Sequence, residues 1–200
     1  MLLLKCNACD IIYIYYGSTR NILDTKIVSQ PVLLAIILIV LAAITRFIPH
    51  PFNFTAVGAM ALFSGANFRD KRYAFLLPIF VMLITDIIIG FHFSMLPVYA
   101  CFAFTVWIGT RIKNNKNVVT IFGGSLFSSL IFFLITNLPF WYADQSLYPL
   151  SIEGTVQSYR MAIPFFKNQI FGDLFYNSVL FGVYNLLFGK INIFHTENSR

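Results

Sequence analysis

Six apolar runs parted by short polar turns dominate this 200-residue chain and leave it few ways to fold. They fall at 31–48, 54–68, 73–91, 95–112, 118–141 and 165–188. A helix rising about 1.5 Å per residue needs roughly 20 apolar residues to cross the ~30 Å hydrocarbon layer of a bilayer, and most of the runs come near that length. Hydrophobic residues make up 58% of the chain and charged residues 11%, against about 45–50% and about 25% in soluble domains. A water-soluble globule is excluded, and 23 Phe with 10 Tyr exclude a disordered chain as well. The expectation is an all-α protein: a polytopic transmembrane helix bundle of six spans over 31–189, with tails at 1–30 and 190–200. Six spans use up nearly all of these residues and leave no length for a soluble catalytic domain.

The net charge of +6 is informative through its distribution. With the amino terminus inside, eleven Lys and Arg fall on the cytoplasmic side, and only Arg46, Arg160 and Lys167 fall outside. Basic residues are retained on the cytoplasmic side during insertion. Both termini are therefore expected in the cytoplasm, in a multi-pass protein of the cell (inner) membrane. The positive charge reports orientation in the lipid bilayer and implies no nucleic-acid partner. Cys6, Cys9 and Cys101 are too few for a disulfide framework and read as free thiols. The longest loop, 142–164, carries Ile152, Val156, Tyr159 and Ile163 at helical spacing, which predicts a short amphipathic helix on the membrane face.

An ionisable side chain at mid-bilayer costs about 2.5–3.5 kcal/mol on insertion scales, so each one calls for a partner, a cavity or a function. Three stand out, Arg46, Asp86 and Asp173, all placed in the outer half. His50, Asn53 and Thr55 follow Arg46, His92 follows Asp86, Asn137 and Trp141 close the fifth run, and Asn168 opens the sixth. Gln169, Asp173 and Asn177 recur at i, i+4 and i+8, which puts them on one helix face turned toward the bundle interior. The candidate substrate-binding set is Arg46, His50, Asn53, Asp86, His92, Asn137, Trp141, Asn168, Asp173 and Asn177, expected to meet in one hydrated, outward-facing pocket.

Plainer readings stand beside that one. Arg46 paired with Asp86 or Asp173 would only fix helix register. His50 and His92 would be interfacial residues rather than metal ligands, and Trp141, Tyr142 and Tyr148 an aromatic belt rather than a stacking platform. Gly58, Ala61 and Gly65 would form a small-residue face for close helix packing. Neither a cofactor nor a metal site is expected.

The stretch Arg46-Phe-Ile-Pro-His-Pro-Phe-Asn-Phe-Thr55, continuing through Ala61-Leu-Phe-Ser-Gly65, resembles the hallmark turn and helix of a family of uncharacterised bacterial six-span membrane proteins. The later stretch Pro164-Phe-Phe-Lys-Asn-Gln-Ile-Phe-Gly-Asp173 is similar to that family's second signature. The family is in turn distantly similar to the substrate-binding S components of energy-coupling-factor (ECF) vitamin transporters. That resemblance implies an S-component-like fold, capture of a vitamin or similar micronutrient at the outer face, and partnership with a transmembrane coupling subunit and ATPases. The first run departs from the pattern, since Ala35 is followed four residues later by Ile39 in place of a second alanine.

A pocket of apolar walls with a few placed polar groups suits a small, partly aromatic solute. The expectation is a non-enzymatic small-solute binding or uptake protein. Without a G-x-x-x-x-G-K-[ST] phosphate-binding loop, energy would come from partner subunits or an ion gradient. The competing classes are a proton-coupled secondary carrier using Asp86 and Asp173, a metal-dependent intramembrane enzyme built on His50, His92 and the two aspartates, and a structural membrane scaffold. In a scaffold the polar groups pair with one another and leave no ligand-sized cavity.

Overall fold

The computed structural model describes residues 30–90, 94–142 and 147–188. The expected tails, together with Cys6, Cys9 and His92, lie outside the described residues. Among the described residues every regular element is helical: α1 Gln30–Ile44, α2 Val57–Asn67, α3 Lys71–Ile89, α4 Met95–Ile112, α5 Val118–Thr136 and α6 Ile152–Phe188, with 3-10 turns at Thr45–Phe47 and Pro139–Trp141. One of these helices overlaps each expected run, and the boundaries move for identifiable reasons.

α3 begins where Asp70 accepts a hydrogen bond from the Arg72 N–H at 2.8 Å, and it ends at Gly90, whose φ of 113° favours a residue without Cβ. α5 starts at a capping box in which Asn117 Oδ1 accepts from the Thr120 N–H at 2.7 Å. It stops at Thr136, short of 141, because Leu138 precedes Pro139 and is held extended at ψ 134°. The amphipathic helix expected within 142–164 and the sixth run are one helix of 37 residues that continues through Pro164. Intramembrane helices tolerate such a proline when neighbours satisfy the freed carbonyl.

The largest difference concerns α2. Its 11 residues rise about 16 Å, too little to cross ~30 Å of hydrocarbon alone. Nine of the 11 are buried, so α2 is the central helix, wrapped by α4 most closely and also by α1, α3, α5 and α6. Its small residues are what permit this. A Cβ on Gly65 would overlap the Val106 carbonyl and lie 2.9 Å from Gly109 Cα, so the backbones of α2 and α4 touch at a glycine pair. Phe63 fills the opposite side, edge-on to Phe181 and Tyr184 at 5.1 and 5.5 Å between ring centroids. Of the expected small-residue face, Gly65 makes the backbone contact with α4 and Ala61 is fully buried, while Gly58 faces the Asp173 side chain of α6 instead.

Burial is distributed as lipid requires. Large apolar side chains face outward on the peripheral helices, among them Phe80, Ile88, Val119, Phe171 and Leu186. Asp86, Asp173, Asn177, Thr105, Ser125 and Ser129 are buried inside. A chain surrounded by hydrocarbon gains nothing by hiding apolar groups, but must satisfy its polar ones internally.

Candidate functional site

The end of the bundle that carries residues 45–56 gathers most of the candidate residues. Arg46 sits in the first 3-10 turn, with Nη2 2.7 Å from Asp86 Oδ1 and Nη1 donating to Thr85 Oγ1. Tyr99 donates its hydroxyl proton to the other Asp86 oxygen at 2.8 Å. The pair is nearly dry, with side-chain exposures of 17% for Arg46 and 3% for Asp86, and the planar guanidinium fork holds two partners at once. Of the alternatives left open by the sequence, Arg46 takes Asp86 and not Asp173.

Beside this pair the chain folds into the turn that leads to α2. Phe54 N–H donates to the Pro51 carbonyl at 2.9 Å, and Asn53 adopts φ 63°, a left-handed conformation that Asn accepts more readily than most residues. The turn walls a cavity of about 450 Å³ lined by Arg46, Ile48, His50, Phe52, Asn53 and Thr55, among others. His50 Nδ1 lies 2.5 Å from the Ile48 carbonyl, which leaves its other ring nitrogen unengaged by that contact. Asn168 of α6 ties the turn down by donating to the Phe52 carbonyl at 3.1 Å, while Gly172 lets α6 approach Phe54 so closely that a Cβ would come within 3.1 Å of its Cα.

Asp173 belongs to a second site. Its carboxylate lies at the N-terminal end of α2, where it accepts hydrogen bonds from the Ala59 backbone N–H, the Gln169 side chain and Ser129 Oγ, the last at 2.7 Å. Ala56, the residue in N-cap position, has no side-chain capping bond, so Asp173 supplies from a distant helix the anion that a helix N-terminus attracts. Gly58 makes room, since a Cβ there would overlap Asp173. One turn on, Asn177 Nδ2 donates to Ser125 Oγ at 2.9 Å and to the Asp173 carbonyl at 2.8 Å. Gln169 and Asp173 line the cleft beside Ser125, Ser128 and Ser129 of α5 and Thr105 of α4, and Phe102 and Phe132 wall it at 5.3 Å between centroids.

Asn137 and Trp141 lie at neither place. Asn137 donates to the Phe133 carbonyl at 2.8 Å and accepts from Ser158 through its backbone, while Trp141 Nε1 donates to the Ile135 carbonyl at 2.9 Å. They shape the junction between α5 and α6. The single pocket expected from the sequence is thus resolved into two sites: Arg46, His50, Asn53 and Asp86 at the turn, with Asn168 closing it, and Asp173 with Asn177 at the start of α2. Tyr99, Thr85 and the serines of α5 were not among the candidates. Ser125, Ser128 and Ser129 stand at i, i+3 and i+4, a one-face polar stripe that the sequence did offer as a signal.

Among the described residues no three His, Cys, Asp or Glu side chains gather where they could hold a metal ion. Three helices, Met95–Ile112, Val118–Thr136 and Ile152–Phe188, are long and apolar enough to cross a membrane, and Pro31–Phe47 is a shorter apolar helix. With an apolar exterior and a buried polar interior, this fold defines an all-helical membrane protein. The chain belongs to the family of unknown function DUF6580, which matches residues 26–195 and so takes in both signature stretches. No curated protein and no solved structure matches it.

Proposed function

We propose that the protein is a multi-pass inner-membrane protein that binds a small solute for uptake, in the manner of the ECF S components it resembles. The six helices make six crossings, the short α2 being counted together with the 48–56 turn that leads into it, and both termini are cytoplasmic. The positive-inside rule supports this orientation, because Arg69, Lys71, Arg72, Arg111, Lys113 and Lys116 lie at the end opposite the turn, where Lys113 Nζ donates to the Phe68 carbonyl at 2.7 Å.

The observation that carries the reading is the cavity of about 450 Å³ beside Arg46, His50, Asn53 and Thr55. It is an open depression with an exposed Phe52 at its rim, of a volume comparable to the ~300–1,000 Å³ of small-molecule sites. Arg46 is already matched by Asp86, so the wall is close to neutral, which suits a neutral or zwitterionic solute better than a free anion. Energy for uptake would come from a coupling subunit and ATPases. The Arg46–Asp86 pair also favours a second reading, a scaffold in which that pair only fixes register.

Native mass spectrometry of detergent-purified protein separates the two. A small molecule bound at one per chain is expected, and His50→Ala combined with Thr55→Val should lower its occupancy while leaving thermal stability unchanged. A chain free of any co-purifying molecule, whose variant behaves identically, would leave the scaffold reading standing.

A further inference from the structure

The cleft around Asp173 is lined by hydroxyl oxygens, two of whose protons are committed to helix carbonyls. Thr105 donates to the Cys101 carbonyl at 2.9 Å and Ser128 to the Gly124 carbonyl at 2.8 Å, the usual back-bonding of hydroxyls within helices. Ser129 has one proton for two acceptors, Asp173 Oδ2 at 2.7 Å and the Ser125 carbonyl at 2.9 Å. Ser125 Oγ is itself an acceptor, from Asn177. What Thr105 and Ser128 turn toward the cleft is lone pairs.

At its centre is a carboxylate 5% exposed, and among the described residues no cationic side chain pairs with it. A buried negative charge without a counter-ion is costly. The cleft leaves a cavity of about 10 Å³, close to the space of one water-sized sphere.

We infer that this cleft is a binding site for one monovalent cation of sodium size, held by the Asp173 carboxylate and the hydroxyl oxygens of Thr105, Ser125, Ser128 and Ser129. A single carboxylate balances a single charge, whereas calcium takes six to eight oxygens and usually several carboxylates. Neutral hydroxyls are hard oxygen donors that do not draw a second positive charge. Through Gly58 the ion would sit at the junction of α2 with the 48–56 turn, so its presence would tighten α6 against that turn. The inference stands on the cleft alone and does not depend on the solute reading.

The test is a sodium titration of the intact protein in detergent at fixed pH and fixed ionic strength, with choline chloride as the replacing salt. Thermal unfolding and binding of radioactive sodium are the two readouts. Sodium should raise the unfolding temperature in a saturable way and bind at one ion per chain, and potassium should act more weakly. Thr105→Val and Ser128→Ala leave the capping of α2 in place and should weaken the sodium response about tenfold or more, the worth of one contact to a charge. Asp173→Asn should abolish it. Equal stability in sodium and choline, or a full response in the Thr105 and Ser128 variants, overturns the inference. So does stability that follows pH alone, which would make Asp173 a proton site.

Discussion

Substituting Gly109 by alanine tests the contact around which the bundle is built. A Cβ at Gly109 would overlap the Leu62 carbonyl and lie 2.9 Å from Gly65 Cα and 3.1 Å from the Ala66 nitrogen. Non-bonded carbons are comfortable at about 3.5–4.0 Å, so α2 and α4 would have to part by roughly 1 Å. No flexible side chain can yield there, because every atom met is backbone. Overpacking costs about 1–3 kcal/mol, and this site belongs at the upper end; the better helix propensity of alanine returns up to about 1 kcal/mol. The net loss is about 2 kcal/mol, or roughly 4–8 °C of unfolding temperature for a chain of this size. Gly123→Ala and Gly182→Ala are the controls, since a Cβ at either meets nothing within 4 Å. Thermal unfolding in one detergent should show Gly109→Ala well below wild type and both controls at or slightly above it. Three variants shifted alike would refute the reasoning, because the loss would then belong to glycine replacement in general and not to the helix crossing.

Asp86→Asn leaves the Arg46 guanidinium without its counter-charge. A loss near 3 kcal/mol is expected, the low end of the ~3–5 kcal/mol for breaking a buried pair because Arg46 keeps 17% exposure, and the Arg46→Met, Asp86→Leu double variant should recover most of it in the same unfolding assay. Tyr99→Phe removes one hydrogen bond to that carboxylate and should cost about 1.5 kcal/mol, with no further cost in the Asp86→Leu background. Asn53→Gly should be neutral or stabilising in unfolding and Asn53→Val destabilising by about 1–2 kcal/mol, since φ 63° suits the first and strains the second.

Helix number and the burial of the Gln169, Asp173 and Asn177 face were legible because both rest on local periodicity. The 3.6-residue repeat that puts the three on one side of α6 also turns Asp173 and Asn177 inward, with exposures of 5% and 1%. The ends of α3 are imposed by Asp70 and Gly90, a few residues from those of the expected 73–91 run. At Pro139 the apolar run hid the stop, and at Pro164 the proline suggested a break that neighbouring packing overrides. The pairing of charges was not legible at all. Arg46 lies 40 residues from Asp86 along the chain, and nothing local prefers Asp86 to Asp173. That choice is made by α2, whose small residues let it lie between the two carboxylates' helices and whose N-terminus then claims one of them.

The two carboxylates are thereby stabilised by different devices, with different consequences. Asp86 meets a full positive charge and one neutral donor, so its site is electrically closed. Asp173 meets only the partial charge of a helix end and hydrogen-bond donors, with no cationic side chain paired to it among the described residues. A solute pocket and an ion site call for just these opposite conditions: a nearly neutral wall that discriminates by shape and hydrogen bonding, and a dry anion that discriminates by charge and size. The segment between them is short. From Arg46 through the turn to Gly58 the chain is held to α6 by the Asn168 contact to Phe52 and by Gly172 against Phe54, so a change at either site reaches the other through one piece of backbone. Under the two readings proposed above, the single pocket expected from the sequence becomes a solute site and an ion site joined by this segment, so that occupancy of one would bias the conformation of the other.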